Sequence, residues 1–244
     1  RTDFDDMFND VITRKQKYVA RVLRTFVDGP KSVSEVALAM GVEKCGDITD
    51  AIQVLQESGF VAEDCAVNPE TGAEIRERRF RLKDNYSRFY LKYIERNKKV
   101  IDADAFSFAA LEELEGIDSV MGLAFENLVV NHAMTLLDAL HLGGVPILSA
   151  APYSRKEDKK GKRGVQIDLL IQARKAVCLV EVKRQKHIGE EVEHEVAEKV
   201  TRLNVRKNIS IRTALVYDGE LAEVVRGNSY FDAIVSSREL LGLK

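Results

Sequence analysis

The sequence predicts a mixed α/β protein: an α+β chain with a mixed sheet, preceded by a smaller helical domain that ends in a β-wing. Apolar residues recur at helical spacing through the first part of the chain, where Gly and Pro separate the helices. Short runs of β-branched residues separated by polar turns dominate the second part. A chain of 244 residues is long enough for two domains that each bury a core.

The composition excludes several classes of protein. Hydrophobic residues make up 45% and charged residues 31%, which is typical of a soluble globular protein. The formal charge of −2 means that any basic surface for nucleic acid must be local. Three widely spaced cysteines indicate neither a disulfide framework nor a structural zinc site. We therefore expect a cytoplasmic protein with no membrane partner. The sequence leaves open whether it forms an oligomer.

The first residue is Arg1 rather than Met, so we expect a fragment of a longer protein. Residues 1–13 are interpreted as the tail of a missing element. Residues 14–83 then give three helices and two strands, the order of a winged helix-turn-helix. Ser32 and Glu35 form a capping-box pattern at the start of the second helix, and the third helix is predicted from Asp47 to Ser58.

The wing is the basic part of this domain. The outer positions of the third helix are not basic, so sequence-specific reading of a major groove is poorly supported. Positive charge collects instead on the wing, which predicts phosphate contacts by Arg76, Arg78, Arg79 and Arg81. A protein-protein or interdomain module explains the domain equally well.

Residues 84–118 are predicted to form a helical connector, and residues 119–244 the second domain. That domain begins with a long apolar helix from Ser119 to about His141, in which Glu126 is the exception. A carboxylate in an apolar setting is costly unless it is paired or metal-bound. Beside the hairpin described next, Glu126 is favoured as a site carboxylate over a surface gap in the apolar pattern.

The runs 164–171 and 177–183 predict a β-hairpin. With Ile171 opposite Ala176, Asp168 would lie opposite Leu179 and diagonal to Glu181. The aliphatic residues Val165, Ile167, Leu169 and Ile171 would share the other face. Asp168, Glu181 and Lys183 would then converge on one side of the sheet. A salt-bridged surface hairpin is the alternative interpretation.

Two carboxylates and a lysine suit metal-assisted hydrolysis of a phosphodiester. Asp168 and Glu181 offer the oxygen ligands that Mg²⁺ or Mn²⁺ prefers, with the Val182 carbonyl and Glu126 as further ligands. Lys183 would orient the attacking water and stabilise charge in the transition state. A basic loop precedes the hairpin and could follow a DNA backbone through Lys156, Lys159, Lys160, Lys162 and Arg163.

Asp168, Glu181 and Lys183 on consecutive strands, with Glu126 in the preceding helix and a helix from Gly189, resemble the PD-(D/E)XK nuclease superfamily. Ile167 replaces the proline of its motif. A winged helix ahead of such a domain is similar to the C-terminal half of an archaeal-type AAA ATPase family. That resemblance implies ATP binding only by a missing N-terminal domain, which would also be a partner. The alternative is a non-catalytic DNA- or protein-binding regulatory module of the ATPase.

Overall fold

The computed structural model describes residues 18–106, 111–157, 161 and 163–243. The chain divides into two compact units. The first comprises the described residues up to Asp64 together with Glu77–Ala124, and the second comprises Cys65–Arg76 with Phe125–Lys244. The predicted tail at residues 1–13 lies outside the described residues. Within the described ranges, no helix has the length and apolar character that crossing a bilayer requires.

The first unit contains three helices followed by a hairpin of strands, in the order that the sequence predicts. Its elements are α1 Val19–Thr25, β1 Lys31–Ser32, α2 Val33–Met40, α3 Gly46–Glu57, β2 Val61–Asp64 and β3 Arg79–Leu82. The strands form an antiparallel sheet in the order β1-β3-β2. The short β1 was not predicted from the sequence, because two residues carry no strand pattern.

The core of this unit follows the predicted helical spacing. Leu23 of α1, Ile52 and Leu55 of α3 and Leu82 of β3 are all buried in one cluster. The capping box at the start of α2 is confirmed: the Ser32 backbone N–H donates to Glu35 Oε2 at 2.8 Å, and Glu35 N–H donates to Ser32 Oγ at 3.4 Å. Local capping and helical periodicity therefore agree here.

The segment after the wing forms α4 Asn85–Phe89, a π-helical stretch Tyr90–Ile94 and α5 Glu95–Asp102. Asp84 caps this helical stretch by accepting hydrogen bonds from the backbone of two residues in its first turn. The sequence predicts a helical connector here, and the structure has a helix with a π segment at its centre. The extra residue per turn in a π segment shifts the helix faces that follow it.

The second unit holds the mixed sheet. Its elements are α6 Ile117–Asn131, which begins in the first unit, β4 Ile147–Arg155, β5 Val165–Ala173, β6 Ala176–Ile188, α7 Glu191–Arg202, β7 Ser210–Leu221, α8 Glu223–Gly227, β8 Ala233–Ser236 and α9 Ser237–Leu240. The strand order is β4-β5-β6-β7-β8. β4, β5 and β6 are antiparallel neighbours, whereas β6, β7 and β8 run parallel. The predicted fold class, an α+β chain with a mixed sheet, is confirmed.

Helices cover both faces of this sheet. Phe125 and Val129 of α6 pack in a cluster with Leu169 and Ile171 of β5. The cluster on the other face contains Val192 and Val196 of α7 together with residues of β5 and β6. A strand buried on both faces is apolar throughout, which explains the nearly continuous aliphatic runs in the sequence.

The predicted helix from Ser119 to His141 is wrong at both ends. The α-helix begins at Ile117, immediately after Gly116, whose φ of 69° ends the preceding turn. It ends at Asn131, and the chain tightens into a 3₁₀ helix at Ala133–Leu136. Thr135 fixes this turn by donating its hydroxyl to the His132 carbonyl at 2.7 Å. The sequence stays apolar on both sides of the change from α-helix to 3₁₀ helix, so the hydrophobic pattern could not show where the α-helix ends.

The predicted register of the hairpin is also wrong, by two residues. The structure pairs Ile171 with Cys178 and Leu169 with Val180, where the sequence interpretation paired Ile171 with Ala176. A slip of two residues keeps every side chain on its face. The carboxylates of Asp168 and Glu181 consequently come closer to a direct cross-strand position than the predicted diagonal.

The shared face predicted for the aliphatic residues of β5 is wrong for its first half. Ile167 packs with the α7 cluster, whereas Leu169 packs with the α6 cluster. The register against β4 shifts between Ala151 and Tyr153, which pair with Leu170 and Ile167. Two residues of β5 therefore oppose one residue of β4, and that arrangement is a β-bulge.

The residue of β4 opposite this bulge is Pro152. Proline has no N–H to donate to the ladder and is confined to edge strands and bulges. β4 is an edge strand of the sheet. The bulge thus has a local cause in the sequence, and it places Asp168 at the point where β5 changes face.

Candidate functional site

Asp168 lies in the bulge of β5 and is half-buried. Its Oδ2 accepts a hydrogen bond from the backbone N–H of Val182 at 2.9 Å. This bond joins β5 to β6 at the bulge. It orients the Asp168 carboxylate beside Glu181 and Lys183, the two residues of β6 that flank Val182. Bulges often re-aim a side chain at a functional site, and this one carries a chemically active group.

Glu181 and Lys183 lie on β6, on the face covered by α7. Glu181 is only 2% exposed. The Lys183 ammonium lies 3.4 Å from Glu181 Oε1, and its side chain is 19% exposed. The structure therefore brings together the three residues that the sequence predicts as catalytic: Asp168, Glu181 and Lys183.

Helix α7 adds two charged residues that the sequence interpretation missed. Lys199 Nζ lies 2.5 Å from Glu181 Oε2. Glu195 forms an ion pair with Lys183. Both oxygens of Glu181 consequently face a lysine, one from its own strand and one from the helix. The site is a cluster of three carboxylates and two lysines rather than the predicted three side chains.

A signal for these two residues was present in the helical spacing. Val192 and Val196 are the buried residues of α7. Positions three residues further on lie on nearly the same helix face, and these are Glu195 and Lys199. Glu195 and Lys199 border the buried stripe of α7, so their side chains extend toward the sheet, where Lys199 contacts Glu181 and Glu195 contacts Lys183.

Burial raises the pKa of Glu181, and repulsion from Asp168 raises it further. Lys199 and Lys183 act in the opposite direction. For Lys183, burial alone would lower the pKa, but hydrogen bonding to Glu195 and attraction by Glu181 raise it overall. Lys183 is therefore held as a cation, and the cluster places two carboxylates where a further positive charge would relieve their repulsion.

The oxygen donors of this cluster suit Mg²⁺, which commonly binds through one or two carboxylates and keeps several waters. Asp168 and Glu181 provide such a pair, and the Val182 carbonyl belongs to the same stretch of β6. Glu126 is half-buried on α6, the helix that packs on the opposite face of the sheet from α7. Across the described ranges, no three His, Cys, Asp or Glu side chains form a group that could hold a metal ion.

The wing arginines are mostly engaged with carboxylates. Arg78 lies 3.2 Å from Glu63, and Arg79 lies 3.1 Å from Glu35. Arg81 is 8% exposed, and its Nε donates to Asp64 Oδ1 at 2.8 Å.

Arg76 is exposed and belongs to the second unit. In that unit, the Gln172 side chain donates to the Val67 carbonyl at 2.6 Å, which fixes the segment Cys65–Arg76 on the sheet.

The predicted basic loop is partly described. Lys156 and Arg163 are exposed. Lys159, Lys160 and Lys162 lie outside the described residues. The strand β4 extends to Arg155, immediately before Lys156.

Comparisons with known proteins give distant structural similarities. No family model matches the chain, and no curated protein matches it. The crystal structure of protein VC1899 from Vibrio cholerae is similar over 99% of this chain and 54% of its own, with 12% identity and a TM-score of 0.37. The structure of the SdaI restriction endonuclease is similar over 81% of this chain and 77% of its own, with 13% identity and a TM-score of 0.23. This chain thus spans about half the length of the Vibrio protein.

Proposed function

We propose that the second unit is a Mg²⁺-dependent nuclease-like domain that hydrolyses phosphodiester bonds of DNA. The observation that carries the proposal is the cluster at the β5 bulge, where Asp168, Glu181 and Lys183 meet. The Val182 N–H to Asp168 bond of 2.9 Å and the Lys183 to Glu181 separation of 3.4 Å support it. The resemblance to the PD-(D/E)XK superfamily rests on the same three residues, together with Glu126 in the preceding helix and the helix from Gly189.

Each residue has a role in this reaction. Bound Mg²⁺ would lower the pKa of a water and neutralise charge on the scissile phosphate. Asp168, Glu181 and the Val182 carbonyl would hold it. Lys183, kept cationic by its two glutamate partners, orients the attacking water and stabilises the negative charge of the transition state. Glu195 acts through Lys183 and is a positioning residue.

Cleavage of supercoiled plasmid DNA in Mg²⁺ or Mn²⁺ tests the proposal. Asp168→Asn and Lys183→Gln should each lower the cleavage rate by about 100-fold or more, because each removes a group that acts in the transition state. Lys186→Gln is the matched control, since Lys186 is exposed on the same strand. Equal cleavage by the wild type, both site variants and the control would show that the activity comes from elsewhere.

One observation favours a second function, a non-catalytic binding or regulatory module. Lys199 and Lys183 each face one oxygen of Glu181, at 2.5 and 3.4 Å. In this interpretation the lysines replace a metal ion and the cluster is structural. Calorimetric titration with Mn²⁺ separates the two functions: heat of binding that is lost in Asp168→Asn supports the nuclease, whereas no heat with the wild type supports the module.

We further propose that this region acts within a longer AAA-type ATPase, with DNA and the N-terminal ATPase domain as its partners. The resemblance described above supports this, through the order of a winged helix and a nuclease-like domain. Mixing this chain with the separate nucleotide-binding domain should change its rate of ATP hydrolysis when DNA is added. A rate that is the same with and without this chain would contradict the partnership.

A further inference from the structure

A surface pocket of about 260 Å³ lies in the second unit, at the C-terminal end of α7. Its lining contains three arginines and a single carboxylate. The lining residues are Arg155, Arg163, Glu198, Thr201, Arg202 and Asn204. Three positive charges against one negative charge leave two net positive charges, so the pocket is suited to an anion.

Arg155, in the lining of this pocket, is held by two backbone carbonyls. Its Nη2 donates to the Arg163 carbonyl at 3.0 Å and to the Arg202 carbonyl at 2.7 Å. The second bond covers a carbonyl of the last turn of α7 and offsets the negative end of the helix dipole there. The Arg155 Nε is buried and has no hydrogen-bond partner among the described residues. Buried donors are normally satisfied, so this one calls for an acceptor that the described residues do not supply.

The remaining donors face the same space. Arg163 is exposed and forms no ion pair with a described residue. Arg202 uses Nη2 to pair with Glu198 at 2.7 Å, which leaves other N–H groups of its guanidinium. Asn204 lines the pocket with a side-chain amide. Guanidinium groups match the oxygens of a phosphate in geometry and charge, so phosphate is the anion that this set fits best.

The pocket lies next to the carboxylate and lysine cluster. Arg155 pairs with Val165, and Val165 precedes Asp168 by three residues, a rise of about 10 Å along β5. Arg202 follows Lys199 by three residues on α7, a rise of about 4.5 Å. A stacked nucleic-acid strand advances by about 3.4 Å per nucleotide, so these separations span one to three nucleotide steps.

We propose that this pocket binds a backbone phosphate of the same DNA strand whose scissile phosphodiester lies at the Asp168, Glu181 and Lys183 cluster. The inference rests on the proposed nuclease function, which it extends by assigning a substrate contact. The pocket holds the strand a few nucleotides from the scissile bond. It binds charge and not sequence, because phosphate contacts carry no base information.

DNA binding measured without divalent metal tests this separately from catalysis. Fluorescence anisotropy of a labelled duplex and of its single strand, in EDTA, gives the Kd at several salt concentrations. Arg163→Ala and Arg202→Ala should each raise the Kd about tenfold and lower the salt slope by about 1. Arg174→Ala is the matched control. It removes the same charge from an exposed residue just beyond the opposite end of β5.

Four results would overturn the assignment: no DNA binding by the wild type, an equal effect of all three substitutions, no effect of either pocket substitution, or an effect of Arg163→Ala alone. Calorimetry with inorganic phosphate covers another source of the same group. Phosphate binding that Arg163→Ala removes, with DNA affinity unchanged, would assign the pocket to free phosphate and reject the DNA contact. Weaker metal-free binding in the pocket variants, with cleavage unaffected by Asp168→Asn, would reject the nuclease and keep the pocket.

Discussion

Arg81 provides a test of whether the wing arginines serve DNA or the fold. The sequence predicts a phosphate contact, but the structure buries this guanidinium against Asp64, with 10% and 5% of the two side chains exposed. Arg81→Met keeps the apolar stem and removes the charge, which leaves Asp64 buried without its ion-pair partner. Breaking a buried pair in this way costs about 3–5 kcal/mol.

The loss should appear in the thermal unfolding of the first unit. At about 4 °C per kcal/mol, Tm should fall by roughly 10–20 °C in differential scanning calorimetry. The double variant Asp64→Leu with Arg81→Met should recover most of this loss, because two apolar side chains leave no buried charge unpaired. Arg78→Met is the control, since that side chain is 70% exposed and its ion pair is worth little.

The destabilisation by Arg81→Met should also depend on pH. Burial raises the pKa of Asp64, and Arg81 only partly opposes this. A raised folded-state pKa gives stability that is present below the unfolded pKa and lost as pH rises through the folded one. Without Arg81 the folded pKa rises further, so the Tm difference from wild type should be larger at pH 7 than near pH 4. An unchanged Tm together with weaker DNA binding would refute this reasoning and restore Arg81 as a DNA contact.

Three further predictions follow from single contacts. Burial raises the pKa of the Cys178 thiol to about 12, so a thiol reagent at neutral pH should label the two exposed cysteines and leave Cys178 unmodified in mass spectrometry. Gly219→Ala should destabilise the protein by more than about 1–3 kcal/mol, because φ is 135° there and a Cβ would lie 1.8 Å from a main-chain oxygen of β6; Gly227→Ala, with open space around it, should not. Lys199→Met should tighten Mn²⁺ binding several-fold in calorimetry, because it removes a cation from Glu181; weaker binding would contradict the metal site.

The sequence predicted the sheet because its strands contain short aliphatic runs, although β6 and β7 continue beyond those runs into polar residues. It predicted the register of the β5–β6 hairpin poorly, since both strands are apolar on two faces and a slip of two residues preserves every face. The turn residues Arg174 and Lys175 do not fix the pairing. The hydrophobic pattern therefore placed Asp168 and Glu181 on one hairpin but did not predict which residues of the two strands lie opposite each other.

The bulge shows a second limit. Alternation with a period of two assumes a regular ladder, and that assumption fails at Asp168 because Pro152 of the neighbouring strand interrupts it. Pro152 is evident in the sequence. Which residues of β5 lie opposite Pro152 depends on the register between β4 and β5, and the sequence of the loop that joins these strands does not determine that register. The sequence identifies Pro152 as a residue that interrupts a strand. Only the tertiary structure shows that the resulting bulge changes the direction of the Asp168 side chain.

The five charges of the site determine how far its chemistry can be inferred from geometry. By formal charge, the three carboxylates of Asp168, Glu181 and Glu195 exceed the two lysines, Lys183 and Lys199, by one negative charge. In a purely structural network that excess costs free energy to the extent that Asp168 is buried, and Asp168 is half-buried. A metal site does need it, since the excess attracts the cation. Asp168 has a backbone N–H rather than a lysine as its partner, so a bound cation would relieve its repulsion with Glu181, and the Mn²⁺ titration tests whether such a cation binds.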